Sequence, residues 1–591
     1  MGPLQRLGRL PIVLTVPTFA VLLVVFGMPI VQLFMNSLDA PAFSLSNYHA
    51  FFGEQSNVRV LFQTIEVSVV ATVICLIIGY PTAYLIVAAS KRLRTALIVL
   101  VLIPYLTSGL ARTYAWVVIL GDRGLINNVL LDLGLISSPL ELIYNRMAVY
   151  VGMVHIMLPM MMLPLISVMQ GIDKSLIAAA RSMGARPLSA FWRVFFPLTL
   201  PGVRSGALLV FVLCLGFYIT PQALGGLRDS MLSTFIAAQV ATTFNLGSIA
   251  ASAFILLGIA AVMLSTLGLD ISGKQGLAAQ SARKSGSIRL PSVGALTRYL
   301  NELAIPYRSK GWTAKLYQAG GESRWWNAVG TVFVVLVMVY LLFPSLVIII
   351  MSFGAGTVLK FPPSSLSLQW YRSFFYNPWW VDAAWTSIQI GVAVAILSTI
   401  VGTLAAYGLS RTFPRLRSFL TMLILTPITF PVIVVGIATY LGLVNLGLIG
   451  SKVGITLAHS IGSITFVVVI VSATLANFDL HLEQAAKSMR AGPLQAFMRV
   501  TLPLIRPGVI AGAVFAFIHS FDEVVISSLV GGSIRTLPLK MWDNMRNEMD
   551  PTIAAVASLL SLLPVLWLIA LYLTSLRSKL GAQRALPLPT T

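Results

Sequence analysis

Apolar residues in this chain do not recur at the three-to-four-residue spacing of a surface helix or in the alternation of a half-buried strand. They form long runs, each near the ~20 residues a helix needs to cross a ~30 Å hydrocarbon layer. About twelve such runs occur. The first six cover residues 11–34, 61–89, 95–120, 147–169, 204–224 and 244–268. The second six cover 325–351, 384–409, 416–443, 454–476, 508–530 and 552–576. This pattern predicts an all-α membrane protein of about twelve transmembrane helices. A helix satisfies its own backbone hydrogen bonds where lipid offers none.

The polar positions sharpen that picture. The chain has 591 residues, 57% hydrophobic and 10% charged, where a soluble domain carries roughly 25% charged residues. Its mean hydropathy is +0.89. The formal net charge of +21 invites a nucleic-acid reading until the charges are located. With the N-terminus inside, acidic and basic residues balance in the outside loops, whereas the inside segments are strongly basic. That is the positive-inside asymmetry, so the charge sets topology and nucleic acid is not an expected partner. The expected topology is multi-pass, with both termini cytoplasmic. The first run follows Arg6 and Arg9. It is too long for the apolar core of a signal peptide and lacks a convincing small-residue cleavage site, so it reads as a retained helix. The only cysteines, Cys75 and Cys214, fall inside expected spans. Neither a disulfide framework nor a cysteine metal site is indicated.

Internal repetition divides the chain. Ser44-Leu45-Ser46-Asn47-Tyr48-His49-Ala50-Phe51-Phe52 returns as Ser367-Leu368-Gln369-Trp370-Tyr371-Arg372-Ser373-Phe374-Phe375. The same offset relates Gly79, Ala83, Tyr84 and Pro104 to Gly402, Ala406, Tyr407 and Pro427. Further on a shorter offset relates Pro187 to Pro493 and Gly225-Gly226 to Gly531-Gly532, because the outside loop after the third span is longer in the first copy. The expected organisation is a first repeat over 1–269, a cytoplasmic linker over 270–323 and a second repeat over 324–591. An even number of spans makes the repeats parallel, related by a pseudo-two-fold along the membrane normal. The cavity on that axis is where a substrate would pass. The linker is rich in Gly, Ser, Arg and Lys and reads mostly as tether, with a short helix expected around Leu296–Leu303.

Each repeat carries one long inside segment between its fourth and fifth spans. The first contains Asp173-Lys174-Ser175-Leu176-Ile177-Ala178-Ala179-Ala180-Arg181-Ser182-Met183-Gly184-Ala185-Arg186-Pro187 and continues to Pro197 and Pro201. The second contains Asp479-Leu480-His481-Leu482-Glu483-Gln484-Ala485-Ala486-Lys487-Ser488-Met489-Arg490-Ala491-Gly492-Pro493 and continues to Pro503 and Pro507. Each predicts a short helix capped by Asp173 or Asp479. A second helix would begin at Pro187 or Pro493 and end at Pro197 or Pro503 before the chain re-enters the membrane. Paired alanines allow close approach of another protein, and Met183 and Met489 suit an adaptable groove.

These segments resemble the signature of the binding-protein-dependent permease family, E-A-A, three residues, G, nine residues, I-x-L-P. The alanines match at Ala179-Ala180 and Ala485-Ala486. Gly184 matches, and so do the later blocks ending in Pro197 and Pro503. The glutamate position holds Ala178 in one copy and Gln484, beside Glu483, in the other. The glycine position in the second copy holds Arg490. Phe217-Tyr218-Ile219-Thr220-Pro221-Gln222-Ala223-Leu224-Gly225-Gly226 resembles one subunit of the spermidine/putrescine permeases. Ser520-Phe521-Asp522-Glu523-Val524-Val525, with Thr536-Leu537-Pro538-Leu539-Lys540-Met541-Trp542, resembles the other. The resemblance implies two permease halves fused in one chain, forming the membrane part of an ATP-driven, binding-protein-dependent importer in the bacterial inner membrane. Its solute would be a polyamine or related small amine, with opines, phosphonates or ferric iron as alternatives in the same subfamily. Two copies of an ATPase that binds ATP and Mg would grip Ala179, Ala180, Met183, Gly184, Glu483, Ala485, Ala486 and Met489. A periplasmic substrate-binding protein would dock outside. No cofactor is expected in this chain.

Other signals are weaker. Gly268-Leu269-Asp270-Ile271-Ser272-Gly273-Lys274-Gln275 imitates a phosphate loop but has Gln275 where Ser or Thr should hold magnesium, and it follows a membrane helix rather than a strand. No nucleophile–base constellation appears either, so the chain is not expected to be an enzyme. Asp522 and Glu523 lie inside an expected span, where acids are costly and face a cavity or a partner. They are candidates for the substrate pathway or for a structural partnership with His519. Arg112 and Tyr218 join them as pathway candidates, although Arg112 also suits an interfacial anchor. His155 and His459 read as buried polar residues. The rival class is a secondary transporter of the major facilitator type. That class should carry a basic G-x-x-x-D-R/K-type motif between its second and third spans, which residues 90–94 and 411–417 lack.

Overall fold

The computed structural model describes residues 11–243, 245–266, 324–356, 361–363, 365–547, 550–563 and 565–566. The linker expected over 270–323, the phosphate-loop imitation and the end of the twelfth span lie outside the described residues.

Among the described residues, nine helices are long and apolar enough to cross a membrane, and two bent pairs raise the number to eleven. Thr552–Leu563 contributes a shorter apolar helix where the twelfth run begins. Exposed apolar side chains such as Phe62, Ile77, Leu336 and Ile396 cover the outside of these helices, as a lipid-facing surface requires.

The repeat is visible in packing. In the first half Gln55–Ala88, Arg146–Gly171 and the fifth span form a three-helix core, and Pro378–Ser410, Lys452–Ala476 and the fifth span form its counterpart. Small residues allow the close approach, as in other membrane bundles. A Cβ on Gly402 would sit 2.9 Å from Val467 Cβ, and one on Gly206 would sit 3.1 Å from the Met161 carbonyl oxygen. Outside the core, Ser37 meets the Tyr48 hydroxyl at 2.9 Å, and Ser352 meets Tyr371 at 2.7 Å.

The first span of each half packs against the other half. Ile12–Ser37 lies along Pro378–Ser410 and Val432–Asn445. There Thr18 donates to the Val401 carbonyl at 3.0 Å and Asn445 donates to Gln32 at 2.7 Å. Reciprocally, Arg324–Met351 lies against the first half. Its Tyr340 donates to the Val151 carbonyl at 2.7 Å, and His155 Nε2 meets the Leu341 carbonyl oxygen at 3.1 Å. His155 and His459 are both buried polar residues, as their sequence context predicts. His459 bonds Ser520 and Ser527.

Three expectations need correction. The third spans are not continuous over 95–120 and 416–443. Lys91–Leu106 and Gly109–Asp132 meet at 90°, and Pro414–Thr429 and Val432–Asn445 meet at 101°. Pro104 and Pro427 lie in the turn before each break. Two extended residues then turn the chain: Thr107 and Ser108 in one half, Phe430 and Pro431 in the other. Pro431 itself disfavours helical geometry at Phe430, while Ser108 caps the new helix by accepting from the Ala111 amide.

Secondly, Pro197 and Pro503 do not end a helix. The fifth spans run unbroken as Pro187–Leu215 and Pro493–Phe521. A single π-helical turn, Phe191–Phe195 or Phe497–Thr501, precedes each proline and absorbs its missing amide. Thirdly, the fifth spans stop at Leu215 and Phe521 instead of continuing to 224 and 530. Short helices Ile219–Leu224 and Val525–Val530 follow after a break.

Helix contact at glycine gives a test. A Cβ on Gly508 would lie 2.8 Å from Thr474 Cβ, whereas one on Gly258 meets nothing within 4 Å. Gly508→Ala should lower the melting temperature of the detergent-solubilised protein by several degrees, corresponding to about 1–3 kcal/mol of overpacking. Gly258→Ala should leave it unchanged or slightly raised.

Candidate functional site

The breaks in the third and fifth spans meet between the two halves, around a cavity of about 400 Å³. Its lining follows the repeat. Ile156 and Met160 face it in one half, and their counterparts Gly462 and Phe466 in the other. Val212, Leu213, Gly216 and Phe217 are matched by Ile518, His519, Asp522 and Glu523. Tyr105, Thr107, Gly109 and Arg112 are matched by Ile428, Phe430, Val432 and Val435. The cavity thus lies where a pseudo-two-fold axis between parallel repeats would place it. All four pathway candidates, Arg112, Tyr218, Asp522 and Glu523, line it. Its chemistry is asymmetric, because both acids belong to the second half and the only Arg or Lys among the lining residues belongs to the first.

Asp522 and Glu523 sit differently from the mid-helix placement expected from sequence. Asp522 is the C-cap of Leu502–Phe521, and Glu523 lies in the break beyond it. Asp522 reaches across to the first half, where one carboxylate oxygen accepts from the Ser108 hydroxyl and the other from the Gly109 amide at 3.0 Å. It therefore caps the half-helix that starts after the bend in the other half, where free amides and the helix dipole favour a carboxylate. Glu523 accepts from the Ile526 amide at 3.0 Å and caps its own short helix. The structural partnership with His519 is not formed. His519 meets Ser463 at 3.3 Å and packs on Phe466. Sequence reasoning passes over Ser108 and Gly109, although the polar stretch Thr107-Ser108-Gly109 inside an apolar run is a legible helix-start signal.

The repeat equivalent of the Asp522 contact is closed by packing. A Cβ on Gly216 would lie 3.0 Å from Pro431 Cα and 3.1 Å from the Val432 nitrogen. The two halves thus touch twice at corresponding places, once through a carboxylate and once through bare backbone.

Arg112 is not an interfacial anchor. It is 5% exposed, with Nε 3.5 Å from the Ser108 carbonyl oxygen. Tyr218 is the N-cap residue of Ile219–Leu224 and packs on Trp542 at a centroid separation of 5.7 Å.

The inside segments fold as paired knobs. Lys174–Ser182 and Leu480–Ser488 are capped as expected, with Asp173 accepting from the Ser175 amide and Asp479 from the His481 amide, both at 2.9 Å. Both helices close identically. The Met183 and Met489 amides donate to the Ala179 and Ala485 carbonyls, while the Ala185 and Ala491 amides donate to those of Ala180 and Ala486. Gly184 terminates the first knob at φ +87°, and Arg490 adopts the same left-handed geometry at φ +63°. The turn therefore survives the Gly-to-Arg departure from the family pattern. Met183 and Met489 project outward at 83% and 84% exposure, and Ala179 and Ala485 are also exposed. Ala180 is buried and Ala486 half-buried.

Glu483 departs from its expected outward role. It is 3% exposed and points into the protein. It accepts from Tyr407 at 3.0 Å, from Arg411 and from Lys487 at 2.8 Å, with Thr501 at 3.4 Å. Burial raises its carboxyl pKa, but the hydrogen bonds from Lys487 and Tyr407 and the charges of Arg411 and Lys487 outweigh that and hold it below its ordinary value. The second knob is thereby tied to the inner end of Pro378–Ser410. In the first knob the equivalent position is Ile177, which packs on the apolar core; in both halves the second-span tyrosine packs on the turn after the knob, Tyr84 on Phe191 and Phe195 and Tyr407 on Phe497.

Two measurements follow. Ser108→Ala, Asp522→Ala and the double variant, compared by thermal unfolding, should show a coupling of at least ~0.5 kcal/mol. Strict additivity would mean that the carboxylate does not hold Ser108. Arg490→Gly should stabilise the protein by up to ~1 kcal/mol, because glycine carries no left-handed penalty. A fall in melting temperature would contradict the left-handed geometry at Arg490.

In sequence the chain is similar to known transport proteins. Residues 398–578 match the family described as binding-protein-dependent transport system inner membrane component. The chain is 36% identical over 187 residues to the spermidine/putrescine transport system permease protein PotB of Haemophilus influenzae, covering 32% of this chain and 65% of that one. It is 34% identical over 197 residues to PotB of Escherichia coli, covering 33% and 71%. It is 32% identical over 250 residues to the putrescine transport system permease protein PotI of Escherichia coli, covering 41% and 88%. The present chain is about twice as long as these relatives, consistent with a fusion. Among solved structures, a bacterial ABC transporter involved in the import of the acidic polysaccharide alginate matches with a TM-score of 0.35 and 18% identity, covering 42% of this chain and 96% of that one. With two repeats, paired knobs and the PotB and PotI relatives, the chain belongs to the family of binding-protein-dependent transport system inner membrane components.

Proposed function

We propose that this chain is the two-half translocation pathway of an ATP-driven importer for polyamines or related small amines. The observation that carries this reading is the cavity between the halves. Corresponding residues of both repeats line it, and two carboxylates sit at its wall. A cationic nitrogen leaving water needs such a partner, since an unpaired charge in a low-dielectric interior costs several kcal/mol. The names of the PotB and PotI relatives supply the amine class.

On this reading two copies of a separate ATPase, which binds ATP and Mg, grip the knobs at Ala179 and Ala485 from the cytoplasm. A periplasmic binding protein delivers solute to the outer face, and both termini are cytoplasmic. Each fifth span runs without interruption from a knob to the cavity. Displacement of a knob is therefore transmitted along one helix of 29 residues. Rocking of the halves exposes the cavity alternately to the two sides. The chain itself hydrolyses nothing.

The test uses cells lacking their own polyamine uptake, expressing this chain with its ATPase and binding protein. They should accumulate labelled putrescine or spermidine. Ala179→Glu or Ala485→Glu should abolish uptake and weaken co-purification of the ATPase, because a charge forced into a packed interface costs about 3–5 kcal/mol. The purified chain alone should show no ATP turnover. Normal uptake in both variants, or robust hydrolysis by the isolated chain, would overturn the reading.

A further inference from the structure

Arg112 is the feature of the cavity that a simple amine does not explain. It lines the wall yet is only 5% exposed. Its Nη1 has no hydrogen-bond partner among the described residues. Asp522, the nearest acid by placement, lends Arg112 its charge, but its two oxygens are turned to Ser108 and Gly109, and no contact within 4 Å joins it to Arg112 among the described residues. Buried guanidinium donors are almost always satisfied, because leaving one unmade forfeits its hydration without compensation. Guanidinium has a fixed planar fork that matches a carboxylate.

Charge counting points the same way. The cavity lining holds two acids, Asp522 and Glu523, and one base, Arg112, with His519 counted neutral. With all three ionised, the wall carries one net negative charge. A diamine brings two positive charges to it. A diamino acid brings two ammonium groups and one carboxylate, a net charge that complements the wall.

We propose that the solute accommodated here is of the amino-acid type, with an ammonium held by Glu523 and a carboxylate drawn to the Arg112 guanidinium at the cavity wall. This narrows the amine reading above and rests on it. It also gives Arg112 a role as a specificity-determining residue that touches the solute.

Ornithine and putrescine provide the test, because they differ only by the carboxylate. Binding of each labelled compound would be measured on the purified full chain in lipid nanodiscs, for the wild type, Arg112→Gln and Arg112→Lys. The wild type should bind ornithine at least tenfold more tightly than putrescine. Arg112→Gln should lose that preference by weakening ornithine at least tenfold while leaving putrescine unchanged or tighter, and Arg112→Lys should retain part of it. Putrescine binding as tight as ornithine in the wild type would overturn the inference while leaving the amine reading intact. Equal weakening of both compounds by Arg112→Gln would also overturn it. Binding of neither compound would remove the amine reading and this inference together. If Arg112→Gln does not fold, the wild-type comparison alone decides.

Discussion

The two halves of this protein depend on what happens where each fifth-span helix stops. At Leu215 and Phe521 the helix ends inside the membrane region, and the residues just beyond it meet the bend in the third span of the opposite half. A helix broken there exposes backbone groups that lipid cannot satisfy. They must be closed by protein or must line a cavity, and both occur. On one side the Asp522 carboxylate receives Ser108 and the Gly109 amide. On the other, Gly216 lets backbone pack directly against Pro431 and Val432. The cavity lies between these two crossings, so its existence and its asymmetry have the same physical origin.

The inside face is connected to this crossing by continuous helix. A proline early in each fifth span would be expected to interrupt the connection, yet the π-turns at Phe191–Phe195 and Phe497–Thr501 let the helix pass through. The knobs at the ends of these helices away from the cavity are alike in backbone and unlike in attachment. Glu483 ties the second knob to Tyr407, Arg411 and Thr501, whereas the first has the apolar Ile177 at that position. A buried carboxylate with several charged or hydroxyl donors holds one geometry more strictly than an apolar contact does. The second knob is therefore the more rigidly coupled of the two.

Exchange of the first spans binds the halves further. Ile12–Ser37 belongs to the first repeat by sequence but packs on helices of the second, and Arg324–Met351 does the reverse. Met28–Ser37 also packs on Leu246–Thr266 of its own half, so the first span bridges the two halves.

The membrane class, the apolar runs, the duplication, the inward basic charge and the paired knobs with their aspartate caps can all be read from the chain alone. These are local or periodic properties, written in hydrophobic run length, in Lys and Arg placement and in capping residues. The acids of the cavity are legible as well, since an ionisable residue in an apolar run is conspicuous. Their partners are not, because Ser108 and Gly109 lie more than four hundred positions away from Asp522, in the other repeat. Local rules also misplace a helix end at Pro197 and Pro503. A π-turn that rescues a proline is selected by the packing of Phe191 or Phe497 against the second span, and no propensity encodes it. Glu483 looks like a docking residue in sequence because it adjoins the glutamate position of the family signature and its paired alanines. Long-range packing turns it inward, because Tyr407 and Arg411 wait for its carboxylate at the inner end of Pro378–Ser410.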